Sequence, residues 1–174
     1  MIAKFLSTVK ARASPSMLSQ EVETFNSEET LKYDQTVNNE GKIWLSYKGR
    51  SGIRRYCCIV DKNGKPCIDP GNNSQIALAC YFDEKTGRNG NNLNGGALYY
   101  AELLINHNQK SFKGLGGLPY GQRLKITYKD KSVIAYKGDE RDGGINLPKI
   151  GIHENLAKVL GFPNCLDYVL IEKV

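Results

Sequence analysis

The stretch from Gly121 to Asp139 constrains the fold more than any other part of the chain. In GQRLKITYK, Leu124, Ile126 and Tyr128 alternate with Arg123, Lys125 and Thr127, which is the two-residue period of a strand with one face buried and one solvated. A turn at Asp130-Lys131 follows. In SVIAYKGD, the run Val133-Ile134-Ala135 then has the character of a strand buried on both faces. Pro119-Tyr120-Gly121 is a turn feeding the first of these strands. Composition agrees with a sheet: 18 Gly and 10 Tyr against 2 His and 2 Met in 174 residues suit a turn-rich β protein rather than a helical bundle.

The same period marks further short strands at IALACYF, ALYYAELLIN and YVLIEKV. Between them EKTGRNGNNLNGG, KSFKGLGG and DERDGGINLP read as loops. HENLAKVLG reads as one short helix with Leu156, Val159 and Leu160 on its packed face and Gly161 as its C-cap. Many short strands with one helix predict a small closed barrel over residues 75–174.

The N-terminal part reads differently. Residues 1–12 place Ile2, Phe5, Leu6 and Val9 at i, i+3, i+4 and i+7, predicting a short amphipathic helix that packs on its own domain in preference to an outside surface. Pro15 ends it. Residues 16–40 are polar and predict a partly ordered linker holding one short helix that starts at Ser27, with Glu28 and Glu29 in its first turn. Residues 1–40 thus form a helical and linker segment. Residues 41–74 form a β-hairpin region, with a strand at GKIWLSYKG and an Asn63-Gly64 turn between YCCIV and PCI.

Several function classes are excluded or weakened. No stretch approaches 18 apolar residues, so no helical membrane span is predicted. The start MIAKFLSTVKARASPS lacks an apolar h-region and a cleavage site, so no standard signal peptide is predicted. The net charge of +6 divides as +3 in each of residues 1–74 and 75–174, so no basic arm singles out nucleic acid. Arg50, Arg54 and Arg55 interleave with Trp44, Tyr47 and Tyr56, but no complete nucleic-acid motif is present. The five cysteines, with two histidines, have no zinc spacing and predict reduced, mostly buried thiols. The Gly-rich loops lack Gly-Lys-Ser/Thr and are no P-loop. No metal site and no cofactor are expected.

Four pieces, in order, carry a family resemblance. ALACYF, LPYGQRLKITYKDKSVIAYKGD, IGIHENLAKVLGF and YVLIEKV are similar to the corresponding pieces of the double-psi β-barrel family of rare-lipoprotein-A-like lytic transglycosylases, expansins and barwin-type proteins. The resemblance implies a mainly β fold: a six-stranded double-psi β-barrel with one short helix, preceded by the small N-terminal β-hairpin region. It also implies engagement of peptidoglycan or a related glycan. By position, Asp139 would be the acid that protonates a glycosidic oxygen, with Glu140 and Asp142 as competitors for that role. Departures from the family pattern are Gly138 in place of Asn, Gly143-Gly144 in place of a Gly-Pro turn, and Gly151 in place of Asp.

Delivered to a strand end at the mouth of an apolar barrel, Asp139 is expected to be partly desolvated and suited to acid/base work; a capping Asp in the charged run DERD is the plainer reading. His107 and Glu102 are further catalytic candidates, against an ordinary loop histidine and a solvated strand glutamate. Tyr100, Tyr120 and Tyr136, with Asp142, are the candidate substrate-binding residues, although core positions account for most tyrosines in β proteins. The function expected is a cell-wall-engaging barrel with lytic-transglycosylase character. It would be carried by a phage particle or held in the cytoplasm before assembly, and would act at the cell envelope. The alternative is a non-catalytic adaptor barrel in a phage tail or other large assembly, contacting other proteins through its N-terminal region.

Overall fold

Two units, Met1–Ile76 and Ala77–Val174, each enclose a β core. The computed structural model describes residues 1–71, 74–107, 110–144 and 148–174, with side chains for all of these except 106, 107, 110–112 and 144.

Among its described residues up to Gly71 the first unit holds the strands β1 (Ile2–Phe5), β2 (Val9–Arg12), β3 (Glu21–Phe25), β4 (Thr30–Lys32), β5 (Gln35–Asn39), β6 (Lys42–Lys48), β7 (Arg54–Cys58) and β8 (Ile68–Asp69). They form a three-stranded sheet, β4-β1-β8, and a five-stranded sheet, β3-β2-β7-β6-β5. The printed pairings in both are antiparallel. The expected helix over 1–12 is replaced by β1 and β2. Ala3, Phe5, Val9 and Ala11 point inward, while Ile2 and Leu6, half of the supposed apolar face, are 56% and 49% exposed. The reason lies outside the segment. A twelve-residue helix is marginal alone, whereas β4 and β8 offer β1 a ladder on each edge and Phe25 stacks on Phe5 with ring centroids 4.5 Å apart.

The expected linker helix is also absent, because residues 21–39 supply β3, β4 and β5. Ser27 opens a turn there, with Glu28 at φ 73°. The Asn63-Gly64 turn forms, with Gly64 at φ 81°. Its flanks meet at the Val60–Pro66 bridge, where the Asp61 N–H donates to the Lys65 carbonyl and the Cys67 N–H to the Ile59 carbonyl, while β7 and β8 pair with other strands. Trp44 and Leu45 are fully buried at the centre of β6.

The second unit carries β9 (Ser74–Phe82, within the unit from Ala77), β10 (Tyr99–His107), β11 (Lys110–Lys113), β12 (Arg123–Tyr128), β13 (Lys131–Gly144), β14 (Ile150–His153), helix α1 (Glu154–Leu160) and β15 (Asp167–Lys173). The strand order β10-β13-β12-β15-β9-β14, with β14 also pairing to β10, closes six strands into a barrel, and β11 extends it beyond β10. Two of the pairings, β10–β13 and β14–β9, are parallel. Tyr100, Leu124, Ile126, Ala135, Ile150, Ile152 and Leu156 lie in its interior. Helix α1 starts at His153, whose Nδ1 accepts from the Asn155 N–H at 3.4 Å, and stops at Gly161 in the left-handed region, φ 69°. Its packed residues are Leu156, Ala157 and Leu160; Val159, expected on that face, is exposed.

DERDGG, expected as a loop, belongs to β13, which runs for 14 residues. Parallel pairing to β10 supplies hydrogen-bond partners that a charged sequence does not advertise. KSFK, expected as part of a loop, is β11, paired antiparallel with β10.

Candidate functional site

The site grows from an irregularity in β13. Tyr100 pairs with Lys137 and Ala101 with Asp139, so Gly138 is the extra residue of a β-bulge. Glycine fits there without displacing its neighbours, because a Cβ would lie 2.7 Å from Tyr99 Cδ1 and 2.9 Å from Leu93 Cδ2. The bulge puts two charged side chains, Lys137 and Asp139, into the protein at nearly consecutive positions; they are 1% and 2% exposed.

Asp139 Oδ1 accepts from the backbone N–H groups of Arg88, at 2.6 Å, and Glu140, at 2.9 Å. Its Oδ2 faces the Arg141 guanidinium at 3.8 Å. The carboxyl lines a cavity of about 350 Å³ shared with Thr86, Arg88, Glu140, Arg141 and Asp142. Asp139 is therefore neither a strand-end residue nor a solvent-facing loop cap: it lies inside a long strand, in the wall of a polar concavity.

Lys137 heads a buried ionic chain. Its Nζ donates to Glu102 at 2.7 Å, to Glu140 at 2.6 Å and to the Leu118 carbonyl. Glu140 also accepts from Lys113 at 2.7 Å, and the hydrogen bonds from Lys113 and Lys137 hold its carboxyl below the usual glutamate range. The same contact pushes the Lys113 ammonium up.

Glu102 corrects both earlier readings of that residue. It is fully buried, not solvated, and its carboxylate is consumed by Lys137 and by the N–H groups of Leu115, Gly117 and Leu118. That arrangement pins the 115–118 loop rather than offering an acid to a substrate.

The tyrosines separate. Tyr100 is fully buried, its hydroxyl donating to the Gln122 carbonyl, so its ring forms core and not a cleft wall. Tyr120 and Tyr136 are each 42% exposed. The Tyr120 ring lies 5.2 Å from Lys137 Nζ, and partial burial raises its phenol. Asp142 is exposed on the cavity rim, 3.6 Å from Arg88. His107 ends β10, and its side chain lies outside the described residues.

Arg88, Lys137 and Arg141 were not predicted. Lys137 had a signal, since it falls two residues after the inward-facing Ala135. Arg88 had none, because a backbone N–H delivered by a loop leaves no trace in side-chain patterning. Among the described residues, no group of three or more His, Cys, Asp or Glu is placed to hold a metal ion.

Comparison with known proteins points to the first unit. Residues 3–59 match the family described as "Bacterial SH3 domain". This stretch of the N-terminal unit is similar to a bacterial SH3 domain. The match covers about a third of the chain. Three solved structures align with similar coverage. The crystal structure of Ly7917 is 30% identical over 39% of this chain and 31% of that one, TM-score 0.32. Ly7917 with the hydrolyzing product of MDP is 32% identical over the same shares, TM-score 0.32. The lysostaphin SH3b P4-G5 complex is 20% identical over 38% of this chain and 74% of that one, TM-score 0.33. The chain thus spans about a third of the length of Ly7917. No curated protein matches.

These findings overturn the resemblance to the rare-lipoprotein-A-like family. The family that matches is a bacterial SH3 domain, and it lies before Ile76, outside the block that carried the resemblance. An alternating strand, a turn and an apolar strand recur in many closed barrels, so that block did not discriminate among them. The likeness to a bacterial SH3 domain was missed because the strands of the first unit are three to seven residues long, apart from the two-residue β8, and β1 and β2 find β4, β8 and β7 far along the chain.

Proposed function

We propose that this chain engages the bacterial cell wall, with the SH3-like unit binding peptidoglycan and the barrel addressing the glycan through the Asp139 cavity. The observation that carries the reading is the match of residues 3–59 to the bacterial SH3 domain, since SH3b domains bind peptidoglycan. The polar cavity supports the barrel's part: two guanidinium groups and three carboxyl groups around a concavity suit a polar, hydroxyl-rich polymer. The test is co-sedimentation of the full chain with purified sacculi. The protein is expected in the pellet; recovery in the supernatant at all salt concentrations overturns the reading.

One observation favours a finer reading, glycan cleavage. Asp139 lines the cavity with only Oδ1 held by N–H donors. In this reading Oδ2 delivers a proton to the glycosidic oxygen as the bond to the leaving sugar breaks. A hydroxyl of the remaining sugar closes an anhydro ring and returns its proton to the carboxylate. Incubation with sacculi is expected to release anhydro-muropeptides, and Asp139→Asn to abolish release without weakening co-sedimentation. Intact sacculi after incubation with the unaltered protein overturn this step alone. For the barrel itself, the closed ring with its two parallel pairs is the arrangement we read as a double-psi path.

A further inference from the structure

Beside the Asp139 cavity lies a second one, of about 540 Å³, lined by Asn91, Asn92, Tyr99, Gly121, Tyr136 and Lys137. We propose that it is a subsite for one uncharged pyranose ring of the glycan, a proposal that rests on the wall-engaging reading above and adds the residues that would recognise the sugar.

Two features define the ligand. The first is the absence of usable charge. Lys137 is the one ionisable cation among the described lining residues, and its three ammonium donors are spent on Glu102, Glu140 and the Leu118 carbonyl. It offers only its aliphatic stem, so a phosphate or a free carboxylate finds no partner. The second is the pairing of aromatic faces with amides. Tyr136 keeps a half-exposed ring and Tyr99 a partly buried one, each an apolar face with a polar tip. Asn91 and Asn92 bring groups that both donate and accept. A pyranose presents that complement, with C–H faces above and below and hydroxyl or acetamido groups around the rim.

The cavity is preformed. The Gly87 N–H donates to the Asn91 carbonyl at 2.8 Å and the Asn91 N–H to Asn89 Oδ1 at 3.2 Å. The Asn94 N–H donates to Asn92 Oδ1 at 2.9 Å, and Thr86 bridges to Asn92. A loop tied this way loses little entropy on binding. Its position also fits. Lys137 lines this cavity and Asp139 the other, with only Gly138 between them, and Asn91 Nδ2 reaches the Gly138 carbonyl at 3.5 Å. Two strand residues span roughly 6–7 Å, so a ring seated on Tyr136 would direct the next one towards Asp139.

The test uses the full chain and a soluble, uncharged probe, the tetramer of β-1,4-linked N-acetylglucosamine, titrated calorimetrically beside sacculus co-sedimentation. Tyr136 is half-exposed, so its replacement does not threaten folding. Tyr136→Ala is expected to weaken tetramer binding about tenfold, the scale of a lost aromatic contact, and Tyr136→Phe to stay within about twofold, while sacculus co-sedimentation is read with the unaltered protein. Tetramer binding indifferent to Tyr136→Ala overturns the subsite and leaves the wall-engaging reading standing. So does sacculus binding with no tetramer binding at all. Failure to bind either ligand overturns both.

Discussion

The Glu102 carboxylate and the Lys137 ammonium meet at 2.7 Å with both side chains fully enclosed. Removing Lys137 leaves the Glu102 charge buried with backbone N–H donors alone, and removing Glu102 leaves the buried Lys137 charge with Glu140 as its one carboxylate partner. Lys137→Met is therefore expected to destabilise the barrel by about 3–5 kcal/mol. Glu102→Gln is expected to do comparable damage, since it also weakens the acceptor for three backbone N–H groups. Denaturant unfolding followed by far-UV circular dichroism measures both. A loss under about 1 kcal/mol would contradict the pairing as described.

Glycines at two close approaches are expected to respond unequally. A Cβ at Gly114 would lie 2.8 Å from the backbone Cα and O of Lys149, whereas at Gly138 it meets the side chains of Tyr99 and Leu93. Side chains can rotate away and backbone cannot. Gly138→Ala should cost roughly 1–3 kcal/mol and Gly114→Ala more, up to loss of folding. Comparing their thermal midpoints checks the order.

Acid should weaken the barrel through His153. Burial holds its imidazole below the ordinary histidine value of 6.5, so the unfolded chain binds the proton more readily than the folded one. The stability associated with this group is complete above about pH 6.5 and is lost as pH falls below it. Glu140, held below its ordinary value by Lys113 and Lys137, adds a separate loss at lower pH, as it is protonated. His153→Asn keeps an N-cap acceptor and is expected to remove the upper phase, at some cost in packing against Phe82, whose ring centroid lies 5.2 Å away. Unfolding free energies measured from pH 4 to pH 8 decide it.

In the N-terminal unit, Phe5 is fully buried and stacked on Phe25. Phe5→Ala is expected to cost about 3–5 kcal/mol. Trp44, the single tryptophan and fully buried in this unit, reports the loss as an earlier midpoint of its fluorescence change.

Thiol chemistry should separate the cysteines. All five are free, Cys165 is exposed, and Cys57, Cys58 and Cys67 are buried. Burial pushes the thiols of Cys57 and Cys58 up, and that of Cys67 up to about 12. A disulfide reagent at pH 8 is expected to label Cys165 rapidly and these three only on unfolding. Peptide mapping after a short exposure checks the assignment.

How much of this was legible in the sequence depends on the reach of the signal. Period-two alternation in Arg123–Tyr128, the Asn63-Gly64 turn and the capping at Gly161 are local, and each appears in the structure. A mainly β chain with one short helix follows from such features alone. Residues 1–12 misled because Ala3, Phe5, Val9 and Ala11 fit a strand as well as Ile2, Phe5, Leu6 and Val9 fit a helix. The choice was made by β4 and β8, which contribute ladders from 25 or more residues away. The site followed the same rule. Asp139 was singled out by the resemblance and by its place after an apolar strand. Its burial, the Arg88 N–H that fixes it and the bulge at Gly138 depend on β10 and on the 86–92 loop. Glu102 and Lys137 are 35 residues apart and each alone reads as a solvated strand charge; only the parallel pairing of β10 with β13 encloses them together. Local patterning determined which segments are strands, because side-chain period is a property of neighbours in the chain. Tertiary structure decided which strands pair and which charges are buried, because those free energies belong to contacts between residues far apart in sequence.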